Sequence, residues 1–308
     1  MRTRLGQRPR PTSSVGCVFG PTILATVALI ACPRVDASAP ELLWETSGFS
    51  APESAVYDAA RNQYYISNMG TWGQGSVPGD GFISRVGADG ALLELTWIAG
   101  LQSPKGLARV GDRLFAGDDD ALIEIDLVRG AIAARHVPSD GGPGRFNDCT
   151  ADPDGRVYVF SSRLSTVFRL ADGVFEAWTP FDTSGTGYIN GLLAERDRLL
   201  LGSWSVKGAD GVERAGHIST IDMTTREVGR IGTEPLAHVD GLEPDGRGGY
   251  TVVDWVTGIV SHVSPDGAAR TIFTLPQGAA DHTYVPGKRM LVIPLVKDDV
   301  VRAYRWEP

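Results

Sequence analysis

Six polar side chains recur at comparable points along the 308-residue chain, and five of them carry the oxygen atoms that bind hard cations. They are Glu53, Lys105, Asn147, Asn190, Asp240 and Asp281. Each precedes a short run of apolar, β-branched or aromatic residues, which predicts a turn residue at the mouth of a strand. Their successive spacings are 52, 42, 43, 50 and 41 residues. The chain therefore repeats a unit with one polar anchor in each copy.

A repeat of roughly 40 to 50 residues with several short strands is typical of a β-propeller blade, so six anchors predict six blades. Hairpin signals such as Asp89-Gly90 and Asp172-Gly173 separate strand-like runs, and no sustained helical period follows the N-terminal segment. We therefore predict an all-β fold, a six-bladed β-propeller. The last copy lacks an outer strand, which residues 41–45 can supply. Pairing of the N- and C-terminal strands should then close the ring.

The innermost strands of a propeller line a central channel, so the anchors should face one another across it. Three carboxylates and two carboxamides on one axis favour Ca²⁺, or another divalent cation, over zinc. Without a cation the carboxylates would repel one another. The alternative is that these residues only form turns, because Asn-Gly and Asp-Gly are common hairpin signals.

The first 39 residues have the composition of a leader and a short linker, which leaves residues 40–308 as one propeller domain. Four arginines and no acid lie in residues 1–16, and an almost wholly apolar run extends from Cys17 to Ala31. This layout predicts export. The run that ends in Ala31-Cys32 also resembles the bacterial lipobox, which predicts a periplasmic or cell-surface lipoprotein anchored at Cys32. Cleavage after Ala39 is the alternative.

Composition narrows the functions open to the mature chain. Removing four leader arginines takes the formal charge from −8 to −12, which argues against a nucleic-acid partner. The sequence contains no glycine-rich phosphate loop ending in lysine. Cys149 is the one cysteine beyond the leader, and we expect a buried thiol rather than a nucleophile. We expect a monomer that acts on a small molecule.

Four of the anchor motifs resemble those of the gluconolactonase and regucalcin (senescence marker protein) family of six-bladed calcium propellers. They are Glu53 in Pro52-Glu53-Ser54-Ala55, Asn147 in Arg145-Phe146-Asn147-Asp148, Asn190 in Asn190-Gly191-Leu192 and Asp240 in Asp240-Gly241-Leu242. The resemblance implies that Glu53, Asn190 and Asp240 bind the metal. It places Asn147 beside the metal, directly or through water, and Arg145 toward the substrate. It also implies hydrolysis of a lactone or related ester, with Ca²⁺ acting on the carbonyl or phosphoryl oxygen and Asp240 as the base, or as a nucleophile in the phosphotriesterase variant of the chemistry.

Three features depart from that family. Lys105 puts a cation in the ring, where it either holds an anionic substrate carboxylate or pairs with Asp281. The pair Asp281-His282 adds an acid, which we assign to substrate binding, and an imidazole. His238 precedes Asp240 by two residues, so both should face the same side of an extended strand. His238 and His282 are therefore either candidate bases or hydrogen-bonded rim residues.

Two functions of different class remain open. One is a calcium-dependent hydrolase of a lactone or small ester; the other is an exported, membrane-anchored propeller that contains calcium and binds a small molecule or protein without catalysis. Insertions at residues 71–80 and 207–214 are expected to carry specificity. Trp204 and Trp255 are read as packing residues, with a substrate pocket as the alternative.

Overall fold

A computed structural model describes residues 40–181, 187–232 and 235–308. The predictions for the leader, including the export signal and the lipid anchor at Cys32, lie outside these residues. Within them, no helix is long and apolar enough to cross a membrane.

The described residues form six antiparallel sheets, which confirms the predicted all-β, six-bladed propeller. Five of the blades each run consecutively from an inner to an outer strand, and we number the strands in chain order. Blade 1 contains β2 (Pro52–Asp58), β3 (Gln63–Asn68), β4 (Gly81–Gly87) and β5 (Leu92–Leu101). Blade 2 contains β6 (Leu107–Val110), β7 (Arg113–Gly117), β8 (Leu122–Asp126) and β9 (Ala131–His136). Blade 3 contains β10 (Phe146–Ala151), β11 (Val157–Ser161), β12 (Thr166–Ala171) and β13 (Val174–Pro180).

Blade 4 carries one extra strand, because the insertion after β15 folds back on it as a hairpin. This blade contains β14 (Tyr188–Ala194), β15 (Arg198–Lys207), β16 (Glu213–Ala215), β17 (Ile218–Asp222) and β18 (Val228–Ile231). Blade 5 contains β19 (Val239–Pro244), β20 (Tyr250–Asp254), β21 (Ile259–Val263) and β22 (Ala269–Thr274). Blade 6 contains β23 (Thr283–Val285), β24 (Met290–Leu295), β25 (Val300–Arg305) and β1 (Glu41–Ser47).

The ring closes through blade 6, where β1 pairs with β25 at the outer edge of the sheet. The predicted pairing of the two termini is thereby confirmed. Two ion pairs reinforce it, since Arg302 Nε lies 2.6 Å from Glu45 Oε2 and Arg305 Nε lies 2.7 Å from Glu41 Oε2. Closure leaves no open edge between the first and last blades.

The apolar core lies between the faces of neighbouring blades rather than at the centre of the ring. One cluster joins Tyr65 of blade 1 to Leu114 of blade 2, and another joins Ile66 of blade 1 to Val292 of blade 6. Similar clusters join blades 2 and 3, 3 and 4, 4 and 5, and 5 and 6. Because these clusters bury the apolar side chains between the blades, the centre of the ring can hold polar side chains.

Candidate metal and active site

Four of the six anchors lie inside the inner strands, close to the strand starts. Glu53 is the second residue of β2, Asn147 the second of β10, Asn190 the third of β14 and Asp240 the second of β19. The prediction that each anchor is a turn residue before its strand is wrong for these four. The apolar runs that follow the anchors in the sequence form the second strands of their blades, as β20 does in blade 5.

An irregularity in strand pairing occurs at each of these four positions. The register shifts between Pro52 and Ala55, between Phe146 and Cys149, on both sides of Ile189, and between Val239 and Leu242. A β-bulge breaks the strict alternation of side chains and re-aims them locally. The four candidate ligands therefore share a backbone feature as well as a place in the repeat.

Three of the side chains form a continuous row across neighbouring blades. Asn147 Nδ2 donates a hydrogen bond to Asn190 Oδ1, and Asn190 Nδ2 donates one to Asp240 Oδ1. Glu53 lies close enough to Asp240 for the charge of Asp240 to raise the pKa of Glu53, after the larger effect of burial. The structure thus brings together all four residues predicted to bind the metal.

Buried acids crowd around Asp281. Burial, and then the charge of Asp281, raises the pKa of Asp148 and of Asp240 well above the usual aspartate range. Burial also raises the pKa of Asp281 itself to about 7, although a hydrogen bond of 2.5 Å from Ser54 Oγ opposes the shift. Neighbouring carboxylates of this kind are stable in their ionised form only beside a positive charge.

The residues present fit a hard cation. Glu53 Oε2 and Asn147 Oδ1 are both buried and accept no hydrogen bond, so two oxygen atoms have no partner in the protein. An unpartnered buried oxygen is costly unless something binds it. In the part of the chain that the structure describes, no three His, Cys, Asp or Glu side chains form a metal-binding group by themselves. The candidate site therefore depends on the amide oxygens of Asn147 and Asn190, which suits Ca²⁺.

The two predicted cationic residues take different positions. Lys105 Nζ lies 2.8 Å from Asp119 Oδ1, so this lysine pairs with Asp119 rather than with Asp281. Its charge still lowers the pKa of Glu53, which places it near the ring. Arg145 is exposed and has a left-handed backbone with φ of 46°. Its assignment to the substrate stays a prediction.

The two predicted histidines lie in different environments. His282 is 0% exposed, its Nε2 lies 2.7 Å from Thr251 Oγ1, and burial lowers its pKa to about 3. His238 has a side chain that is 26% exposed, and its Nδ1 has no hydrogen-bond partner. Its Nδ1 is buried, 3.7 Å from Asp254 Oδ1, but part of the His238 ring is exposed to solvent, whereas His282 is enclosed.

Trp204 and Trp255 form an aromatic wall beside His238. The Trp204 ring centroid is 6.0 Å from that of His238 and 5.3 Å from that of Trp255. Trp72, which belongs to the insertion between β3 and β4, extends the wall at 6.1 Å from Trp255. Both Trp204 and Trp255 are only partly buried. The ring contacts support the packing role, and a role in a substrate pocket stays a prediction for both.

Three polar residues of the site were missed by the sequence reasoning. Asp148 follows Asn147 and accepts hydrogen bonds from the backbone of Leu192 at 2.5 Å and of Cys149 at 2.8 Å. Ser54 bonds Asp281, as described above. Glu243 lies three residues after Asp240, and burial raises its pKa well above the ordinary value. The adjacency of Asp148 to an anchor was the one signal available for it.

The fold is shared with known propellers. A gluconolactonase from Xanthomonas campestris superposes with a TM-score of 0.63 at 14% identity, over 88% of this chain and 95% of the other. A calcium-binding protein, regucalcin, from Agrobacterium tumefaciens gives 0.61 at 15%, over 88% and 96%. The chain has the fold of gluconolactonase and regucalcin. It also superposes on a virginiamycin B lyase from Staphylococcus aureus, with a TM-score of 0.60 at 11% identity over 85% and 98%. The sequence matches no family model and no curated protein.

Proposed function

We propose that this protein is a calcium-dependent hydrolase of a lactone or small ester. The observation that carries the proposal is the convergence of Glu53, Asn147, Asn190 and Asp240 at four bulged strand starts, with two buried oxygens left unpartnered. These four residues would hold the ion. The gluconolactonase and regucalcin neighbours support the proposal by their fold.

When bound, the ion would polarise the carbonyl of the substrate and favour negative charge on its oxygen. The chain supplies the proton transfers. A water oxygen adds to the carbonyl carbon while its proton passes to a base. The ring carbon–oxygen bond then breaks, and the departing oxygen takes up a proton to give a hydroxy acid.

Asp240 and His238 are the candidate bases. Burial and the charges of Asp281 and Asp254 raise the pKa of Asp240, which makes its carboxylate a stronger base than an exposed one. A bound cation would oppose that shift, so orientation must contribute much of the effect. His238 is reachable from solvent, whereas His282 is enclosed. If His238→Gln loses the acidic limb of the pH–rate profile and His282→Gln keeps it, His238 is the base.

The decisive experiment is a lactone panel assayed with Ca²⁺ and with chelator. We expect turnover that chelator abolishes and that Glu53→Gln and Asp240→Asn each lower by about 100-fold or more. Calorimetry with Ca²⁺ alone separates binding from catalysis. Ca²⁺ binding without turnover of any lactone, ester or phosphotriester would instead favour a binding protein, an alternative supported by the shared fold of a calcium-binding protein, regucalcin.

We further propose that the mature protein is an exported lipoprotein attached through Cys32, and that it acts as a monomer on a small molecule. The support is the basic and then apolar leader and the acidic mature chain. Cys32→Ser should move the protein from the membrane fraction to the soluble fraction. A wild-type protein that is already wholly soluble would rule out the anchor.

A further inference from the structure

A cavity beside the candidate site lies under the insertion between β3 and β4. It encloses about 660 Å³, a volume typical of small-molecule sites. Thr71 and Trp72 on the insertion form part of its lining, and Gln102, Ser103 and Lys105 before β6 form another part. Leu107, two residues after Lys105, donates its backbone N–H to Ser54 Oγ at 3.2 Å, so the cavity adjoins the inner strand that carries Glu53.

The insertion is fixed at its base. Thr71 N donates to Asp80 Oδ2 at 2.8 Å, and Met69 N donates to Ala51 O at 3.1 Å. Gly70 is required at this point, because its φ is +80° and a Cβ atom there would lie 2.1 Å from Asp80 Oδ1. The base of the loop that lines the cavity is therefore fixed.

One wall of the cavity is apolar. Met69, Trp72, Val77 and Pro78 contribute to it. Trp72 is 49% exposed and Val77 is 51% exposed, so both present free apolar surface. Since exposed apolar surface of this kind is favourable to cover, the wall suits a ligand that buries hydrocarbon against it.

Three charged side chains line the cavity and each lies in an ion pair, although Asp120 Oδ1 accepts no hydrogen bond. Lys105 Nζ bonds Asp119 Oδ1 at 2.8 Å, and Asp120 Oδ2 lies 3.4 Å from Arg135 Nη1. A substrate carboxylate would have to compete with Asp119 for Lys105. Because Lys105, the cation of this lining, is already paired, the cavity favours an uncharged substituent over a carboxylate.

The aromatic wall connects this cavity to the candidate base. Trp72 contacts Trp255, Trp255 contacts Trp204, and Trp204 contacts His238. A substrate whose carbonyl lies at the ring of ligands can thus extend a substituent past these rings into the cavity.

We propose that the substrate is a lactone with an uncharged alkyl or acyl substituent that lies in this cavity, and that such lactones are preferred to polyhydroxylated sugar lactones. A sugar lactone would place hydroxyl groups against Met69, Val77 and Pro78, whose side chains offer them no hydrogen-bond donor or strong acceptor. The inference rests on the proposed hydrolase function and specifies its substrate class.

Three lactones with the same six-membered ring test it: δ-valerolactone, δ-decalactone, which adds a pentyl chain, and glucono-δ-lactone. We expect kcat/KM for δ-decalactone to exceed that for the other two by about tenfold or more. Trp72→Ala and Val77→Ser should each lower the ratio of kcat/KM for δ-decalactone to kcat/KM for δ-valerolactone and so remove most of that preference. Val128→Ser is the matched control, because Val128 is also an exposed valine, 74% exposed, but lies on the turn after β8. Equal rates for all three lactones, or a preference for glucono-δ-lactone, would overturn the inference.

Binding of the corresponding lactams keeps the inference testable if no lactone is hydrolysed. Calorimetry should show tighter binding of the pentyl-substituted lactam than of the unsubstituted lactam, with the difference lost in Val77→Ser and kept in Val128→Ser. Absence of turnover together with this pattern refutes the hydrolase while the apolar site stands. No difference between the two lactams refutes the apolar site.

Discussion

Replacing Asp240 with asparagine should have opposite effects on stability with and without calcium. The carboxylate of Asp240 is buried near the like charges of Asp281 and Asp254, and its pKa is raised, first by burial and then by those charges. A raised carboxyl pKa means that the folded state disfavours the ionised group. At a pH above the raised pKa, each pKa unit by which the folded state exceeds the unfolded state destabilises the folded state by about 1.4 kcal/mol. In chelator at pH 8, Asp240→Asn should therefore raise the melting temperature.

Calcium should raise the melting temperature of the wild type but not that of Asp240→Asn. At a free Ca²⁺ concentration of 100 times the Kd, binding stabilises the folded state by about 2.7 kcal/mol. For a domain of this size that corresponds to a rise of about 5 to 10 °C in Tm. Asp240→Asn removes a charged ligand and should show almost no rise. Thermal scans at fixed protein concentration, with chelator and with millimolar Ca²⁺, measure both effects.

Asp245 is the matched control, because it is a buried aspartate five residues away with the opposite electrostatics. Burial acts to raise the pKa of Asp245, but hydrogen bonds from Arg247 N and from the His262 ring, together with one from Gly249 N, outweigh burial and lower it. Asp245→Asn should lower Tm in both conditions and keep the calcium shift. If Asp240→Asn destabilises in chelator, or if the wild type shows no calcium shift, the assignment of a cation site to these residues fails.

Three further predictions concern the frame that holds the site. His217 is 5% exposed, and burial, followed by the charge of Arg230, lowers its pKa to about 4. The contribution of neutral His217 to stability is therefore present above about pH 6.5 and lost between pH 6.5 and 4. In His217→Gln, the free energy of urea unfolding should change by about 2 kcal/mol less over this pH range than in the wild type, and an unchanged pH dependence would contradict the assignment. Gly241→Ala would put a Cβ atom 2.3 Å from His282 Nδ1 and should cost about 1 to 3 kcal/mol in urea unfolding, whereas Gly287→Ala, with open space around it, should cost less than about 1. Deleting residues 40–47 removes β1 from blade 6 and should lower Tm by at least about 10 °C, and a shift within about 2 °C would refute closure by that strand.

The blades and their closure were predictable from the sequence because their signals are local. Turn pairs such as Asp172-Gly173 mark hairpins, and the repeat of the anchors sets the blade count. The positive φ of both residues, 50° and 77°, shows why that pair forms the turn between β12 and β13. Ring closure followed from counting strands in the last copy.

The detailed arrangement of the site was not predictable, because it depends on register and long-range contacts. The bulges that re-aim Asn147 and Asp240 arise from pairing with β11 and β20, and no residue type within the anchor motifs marks them. Lys105 finds its partner in Asp119, fourteen residues away, only because β6 and β7 fold together. The sequence offered Asp281 as an equally reasonable partner.

The propeller fold does not choose among hydrolysis, elimination and binding, since a gluconolactonase, a regucalcin and a lyase share it at 11 to 15% identity to this chain. The function has to be argued from the charge balance at the centre of this chain. Glu53, Asp148, Asp240 and Asp281 converge there, whereas Lys105 is committed to Asp119. Either protons or a cation must neutralise those acids.

Protons can neutralise the acids only below their raised pKa values, and the pKa of Asp281 is about 7. At higher pH a bound cation is therefore the remaining means of neutralisation. Calcium binding should therefore strengthen from pH 5 to pH 8, and an affinity that does not change over this range would show that these carboxylates do not bind the ion.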